Sequence, residues 1–223
     1  MTRYTLIVGT RNWSSWSLRP FVALKATGAP FEIVDIRLRQ TQHHPTTREQ
    51  ILQHSPAGKV PILKIEEGGD TLTVWDSLAI CETLAERHPQ ARLWPQDASA
   101  RAVARSYSAE MHSGFPDLRE QLSMDIARRK QLPELRDDTK IQVARILDAW
   151  EQALATYRGE FLFGNLTVAD CMYAPVVTRF LTYGVETSPA VKSYMDRMMA
   201  LPAMQEWLRA AEAEVAAGIV DKY

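Results

Sequence analysis

Apolar and polar positions along this chain follow two different rhythms. Near the start, Tyr4 to Val8 is a β-branched and apolar run stopped by Gly9, which predicts a first strand. After Ser15 or Ser17, the residues Leu18, Phe21, Val22 and Leu24 recur at helical spacing; Gly28 is placed to cap that helix and Pro30 to close it. Phe31 to Leu38 alternates and reads as a second strand. The polar stretch from Thr41 to His54 holds one short helix, over Arg48 to Gln53. A strand from Val60 to Ile65, a turn at Glu66–Asp70, a strand from Thr71 to Val74 and a helix from Ser77 to Arg87 follow. The order is β-α-β and then β-β-α, with the first two strands parallel through a right-handed crossover.

Past the proline-bracketed stretch His88–Pro95 the rhythm changes, and no convincing strand remains. Helical spacing covers Ala98–His112, Phe115–Ile126, Asp138–Thr156, Val168–Tyr183, Pro189–Leu201 and Pro202–Ala217. The expected fold class is α/β thioredoxin-like in an N-terminal domain over residues 1–85, then a linker over 86–97 and an all-α C-terminal domain over 98–223.

Composition narrows the function classes. With 223 residues, 46% hydrophobic and 24% charged, the chain has the make-up of an ordinary soluble globule. A net charge of −1 gives no reason to expect nucleic acid or an anionic membrane as partner. Cys81 and Cys171 are far apart and in no C-x-x-C arrangement, so neither a disulfide framework, a zinc site nor a redox pair is expected. No signal-peptide pattern or membrane-length apolar run is visible, and a cytoplasmic protein is the plain reading.

Two short stretches carry candidate chemistry. Pro61 at the start of its strand cannot donate to a ladder and belongs at an edge or bend. A cis Val60–Pro61 bond there would turn the Val60 amide and carbonyl sideways, as a template for an extended peptide. Downstream, Asp76-Ser77 opens a helix, whose first amides and dipole favour a carboxylate, while Asp76 itself suits an amine. A small peptide charged at both ends fits the pair.

Four motifs, in order, then resemble the soluble glutathione transferases, the serine-type theta and zeta classes in particular. They are Ser14-Ser15-Trp16-Ser17-Leu18-Arg19-Pro20, Gly58-Lys59-Val60-Pro61-Ile62-Leu63, Trp75-Asp76-Ser77-Leu78-Ala79-Ile80 and Gly164-Asn165-Leu166-Thr167-Val168-Ala169-Asp170. The resemblance implies a homodimer that uses glutathione as cosubstrate, with no metal. Ser15 aligns with the theta-like catalytic serine and Ser14 with the zeta-like one, and one of the two hydroxyls would stabilise the glutathione thiolate; Asn12 is the next donor to consider. Trp16 stands where zeta and beta enzymes carry a cysteine, so covalent chemistry on a protein thiol is not expected. Ser77 would take the γ-glutamyl carboxylate, Asp76 its ammonium and Val60, beside Pro61, the cysteinyl backbone. Lys59 and His44 are candidates for the glycine carboxylate. Trp13, Met111, His112 and Phe115 are candidates for lining the electrophile site, each with a packing role as the alternative. Thr167 and Asp170 read as a capping box with a structural role. The expected activity is addition of glutathione thiolate to small hydrophobic electrophiles. The alternatives are a cis–trans isomerase resembling maleylacetoacetate isomerase and a non-enzymatic binding module.

Overall fold

The computed structural model describes residues 2–39 and 45–220. Strands β1 (Arg3–Gly9), β2 (Phe31–Ile36), β3 (Ile62–Glu67) and β4 (Asp70–Val74) form one sheet in the order β2-β1-β3-β4. β1 and β2 are parallel, from Tyr4 opposite Phe31 to Gly9 opposite Ile36, and α1 (Ser15–Thr27) connects them. β3 runs antiparallel to β1, and β4 antiparallel to β3. Helices α2 (Thr47–Leu52) and α3 (Ser77–Arg87) complete the unit.

Both faces of the sheet are covered, which explains why β1 is apolar from Leu6 to Val8 rather than alternating. Tyr4, Leu6 and Val8 join the main core with Leu18, Phe21, Ile80 and Leu84 of α1 and α3. Ile7 points the other way, into a small cluster with Ile36, Ile51 and Ile62.

Then come α4 (Ala98–Ser113), α5 (Pro116–Gln121), α6 (Asp137–Tyr157), α7 (Val168–Tyr183), α8 (Pro189–Ala200) and α9 (Pro202–Ala216). Among the described residues after 97 there is no strand, only isolated bridges within Phe161–Asn165. α7 is buried on nearly every side and packs against α1 and α4, as a helix apolar all round must. At its start the Asp170 carboxylate accepts from the Thr167 amide (2.8 Å), the Thr167 hydroxyl (2.9 Å) and the Leu162 amide (3.0 Å). The capping box expected there is present.

The larger departures from the sequence reading are at β2, β3 and α5. β2 ends at Ile36 rather than Leu38 because its partner β1 ends at Gly9; the Leu38 amide turns to the Thr10 hydroxyl instead, at 2.9 Å. β3 starts at Ile62, leaving Val60 outside the ladder, and the hairpin tightens onto Gly68-Gly69, both at positive φ. The helix expected over Phe115–Ile126 stops at Gln121. Beyond it the backbone bonds elsewhere: Arg179 donates to the carbonyls of Arg119 and Leu122, the Thr182 hydroxyl to that of Asp125, and the Ala127 amide to the Asn12 side chain.

Candidate active site

The turn after β1 is built from Thr10 to Ser14. The Trp13 and Ser14 amides both reach the Thr10 carbonyl, at 3.1 and 2.8 Å, and α1 then starts at Ser15. Ser14 occupies the N-cap position without capping: its hydroxyl donates to the Ser17 hydroxyl at 2.7 Å, which in turn accepts from the Gly9 amide. The Ser15 hydroxyl makes no hydrogen bond among the described residues, although Ser15 is only 6% exposed. The two adjacent serines therefore differ: one is tied into the α1 base and one is free.

The helical part of the chain holds this turn in place. Glu214 of α9 accepts from the Arg11 and Asn12 amides at 2.8 and 3.0 Å, and the Trp207 indole donates to the Arg11 carbonyl. Burial raises the Glu214 carboxyl, while those two amides and the Arg11 charge pull it back down. The Asn12 amide group donates to Asp125 at 2.7 Å and accepts from the Ala127 amide at 3.0 Å. Burial alone would raise Asp125, but Lys130 at 2.7 Å and Asn12 hold it below the usual carboxylate range.

A cleft of about 520 Å³ opens beside the turn, lined by Trp16, Lys59, Val60, Pro61, Asp76, Ser77 and His112, with Ala57 and Trp75 at its rim. The Val60–Pro61 bond is cis, and among the described residues no backbone hydrogen bond uses the Val60 amide or carbonyl. Asp76 caps α3 through the Leu78 amide at 3.1 Å, and its other oxygen lies 3.0 Å from the His112 ring. Ser77 is fully buried, and its hydroxyl has no partner. An orphaned hydroxyl at a helix N-terminus, on a residue that lines a cleft, fits an incoming carboxylate.

The cleft thus gathers Lys59, Val60, Pro61, Asp76, Ser77 and His112, with Ser14 and Ser15 in the adjoining turn. It does not gather the rest. Met111 is 1% and Phe115 6% exposed, both inside the main core. Successive residues on a helix point about 100° apart, so α4 sends His112 to the cleft and Met111 inward. Trp13 lies half-buried under the Arg39 guanidinium, away from the cleft. His44 lies outside the described residues. Sequence reasoning missed Trp16 as a wall of the cleft. Its position two residues into α1 carried no signal to distinguish it from Trp13. Cys81 and Cys171 are fully buried; burial pushes the Cys81 thiol up to about 12, so neither offers a thiolate. Among the described residues no group of His, Cys, Asp and Glu is arranged to hold a metal, and no helix is long and apolar enough to cross a membrane.

A thioredoxin-like sheet followed by a helical bundle, with a serine turn next to a cleft lined by a proline-bent edge and the start of α3, defines a class of glutathione-using proteins. Residues 13–87 match the family described as glutathione S-transferase, N-terminal domain, and residues 133–210 its C-terminal domain. Maleylacetoacetate isomerase of Rattus norvegicus is 32% identical over 200 residues, which are 87% of each chain. Glutathione S-transferase omega-1 of the same species is 28% identical over 190 residues, 82% of this chain and 72% of that protein. Among solved structures, maleylacetoacetate isomerase from Anaeromyxobacter dehalogenans with bound glutathione is 26% identical, covers 94% of this chain and 96% of its own, and superposes with a TM-score of 0.67. The chain belongs to the glutathione S-transferase family.

Proposed function

We propose that this chain is a glutathione transferase that presents the glutathione thiolate to small hydrophobic electrophiles. The observation that carries the reading is the buried, unpartnered Ser77 hydroxyl at the start of α3, on the same cleft wall as the free Val60 backbone. In this reading the γ-glutamyl carboxylate takes the Ser77 hydroxyl and amide, and its ammonium takes Asp76. The cysteinyl backbone pairs with Val60, and Lys59 meets the glycine carboxylate. Residues 1–85 bind glutathione, 86–97 link, and 98–223 supply the electrophile side, where His112 faces the cleft opposite Trp16 of α1.

Thiolate formation falls to the first turn. A free thiol ionises near pH 8.5, and lowering that by about two pH units takes roughly 2.7 kcal/mol. The free Ser15 hydroxyl supports its assignment as the donor to sulfur, with Ser14 holding the turn through Ser17. The N-terminus of α1 adds ~0.3–1 kcal/mol for an anion beside it. Once the proton has left to solvent, the sulfur lone pair attacks the electrophile. Ser15→Ala should raise the pKa of bound glutathione by roughly one to two units with little change in affinity, read from thiolate absorbance of the binary complex. An unchanged value in Ser15→Ala, Ser14→Ala and the double variant removes the serine assignment.

A second reading, glutathione-dependent cis–trans isomerisation of a carboxylate-bearing substrate, has one observation in its favour: the Arg19 and Arg119 guanidiniums both lie over the Trp16 ring, at 4.2 and 4.9 Å. Turnover of maleylacetone compared with an apolar aryl halide decides between the two. The family reading also makes the protein a cytoplasmic homodimer. Leu72, Trp75 and Val103, all more than a third exposed, supply apolar surface for a second copy. Sedimentation at a mass near 25.2 kDa at micromolar concentration would exclude the dimer.

A further inference from the structure

Three guanidinium groups stand close together where α1, α5 and α7 meet, and they are not equally provided for. Arg179 donates to two carbonyls, those of Arg119 and Leu122. Arg119 donates to the carbonyls of Gly114, at 3.0 Å, and Met111. Arg19 is 0% exposed, and none of its three side-chain nitrogens has a hydrogen-bond partner among the described residues. Its one evident compensation is the Trp16 ring, three residues earlier on the same helix face, 4.2 Å from Cζ.

That compensation is too small. A desolvated cation over an indole is only modestly stabilised, whereas burying an ion costs more than that even after relaxation. Burial and the charges of Arg119 and Arg179 work against the Arg19 cation; only Cys81 and Asp76 act in its favour. The Cys81 thiol is neutral, and Asp76 is half exposed and already engaged by His112 and the Leu78 amide. The ligand-free protein therefore buries a cation without a counter-ion. α1 packs along α3, and at the start of α3 sits the other orphan, the buried hydroxyl of Ser77, a residue that lines the cleft.

We infer that Arg19 is the buried positive charge for which a bound α-carboxylate at the α3 N-terminus is the missing counter-ion. This rests on the glutathione reading above and adds to it a positioning residue: Arg19, beside Trp16 on the helix that packs along α3, tightens and orients the γ-glutamyl carboxylate electrostatically. The sign of its stability effect follows. An arginine kept for structure stabilises the free protein, whereas an arginine kept for an absent anion destabilises it.

The test compares wild type, Arg19→Met and Arg19→Lys in two measurements: urea stability without ligand, and calorimetric affinity for two ligands. The ligands are glutathione and γ-aminobutyryl-cysteinyl-glycine, which keeps the amine and lacks only the α-carboxylate. Arg19→Met should be at least as stable as wild type and bind glutathione about 10–100-fold more weakly, while its affinity for the analogue stays within about threefold. Arg19→Lys, which keeps the charge, should retain most of the preference for glutathione over the analogue. Equal losses for both ligands, or lower stability with unchanged glutathione affinity, would assign Arg19 to structure and overturn the inference. If Arg19→Met fails to fold, the Lys variant decides by the same ratio, and loss of that preference overturns the inference. Wild type that binds neither ligand overturns the glutathione reading itself.

Discussion

Replacing Asp170 by Asn isolates the cost of a buried carboxyl at the start of α7. Asp170 is fully buried, and burial raises its carboxyl from 3.8 to about 6 despite the three donors around it. That difference corresponds to about 3 kcal/mol. Between those pH values the folded chain keeps a proton that the unfolded chain has released, so raising the pH favours unfolding. The contribution to stability is therefore complete below pH 3.8 and lost by pH 6. Asparagine does not titrate. Its carbonyl can keep both Thr167 bonds, but its NH₂ then faces the Leu162 amide, leaving one buried donor unpaired at about 1–3 kcal/mol. Asp170→Asn should thus be destabilised by that amount at low pH and near neutral, or slightly stabilised, at pH 7.5. Urea titrations of both proteins at several pH values measure the crossing. A difference between them that stays constant across the range would show that Asp170 ionises as an ordinary exposed carboxyl does, and the argument would fail.

Two more predictions concern the cleft. His112→Ala frees Asp76 for the glutathione ammonium; the His112–Asp76 pair is partly exposed and worth ~0–1 kcal/mol, so glutathione affinity should rise up to about fivefold. A fall, measured by calorimetry, would put His112 among the groups that hold the ligand. Glu214→Gln replaces one acceptor oxygen with a donor, so the Arg11 and Asn12 amides cannot both stay bonded. Stability should drop by about 1–3 kcal/mol, and hydrogen exchange should quicken at those two amides; unchanged exchange would remove α9 as the support of the turn.

Legibility followed sequence distance. The β1 run, the Gly28 stop of α1, the Gly-Gly hairpin and the largely apolar α7 each announce themselves within about a dozen residues, because the periodicity that makes the element also buries it. The Pro61 bend and the Asp76-Ser77 helix start were legible for the same reason, each being local backbone chemistry. Residues 122–136 were not. Leu122, Met124 and Ile126 are apolar enough to continue a helix, but their backbone is satisfied by side chains of α7 and by Asn12, more than 100 residues away. Trp13 and Trp16 pose the same problem in miniature: two indoles three residues apart, one in the turn and one at the start of α1, of which only the folded geometry decides which walls the cleft.

Asn12 shows what this means for the site. Nothing nearby in sequence marks it, yet it is fully buried and its side chain bridges Asp125 and Ala127. Asp125 is in turn held by Thr182 of α7, and α7 begins at the Asp170 box. On the other side, Glu214 and Trp207 of α9 grip the Arg11–Asn12 backbone. The turn that presents Ser14 and Ser15 is therefore clamped by the helical part of the chain as well as by the sheet, which reaches it through Gly9 and Asp35. A serine hydroxyl tuned to meet a thiolate needs fixed geometry, and a surface loop after an edge-free strand cannot supply that alone. The helical part acts on the first turn as a brace as well as facing the cleft through His112. Substitutions in α7 or α9 that touch no ligand should consequently disturb thiolate formation before they disturb binding at Asp76 and Ser77, whose support comes from α3.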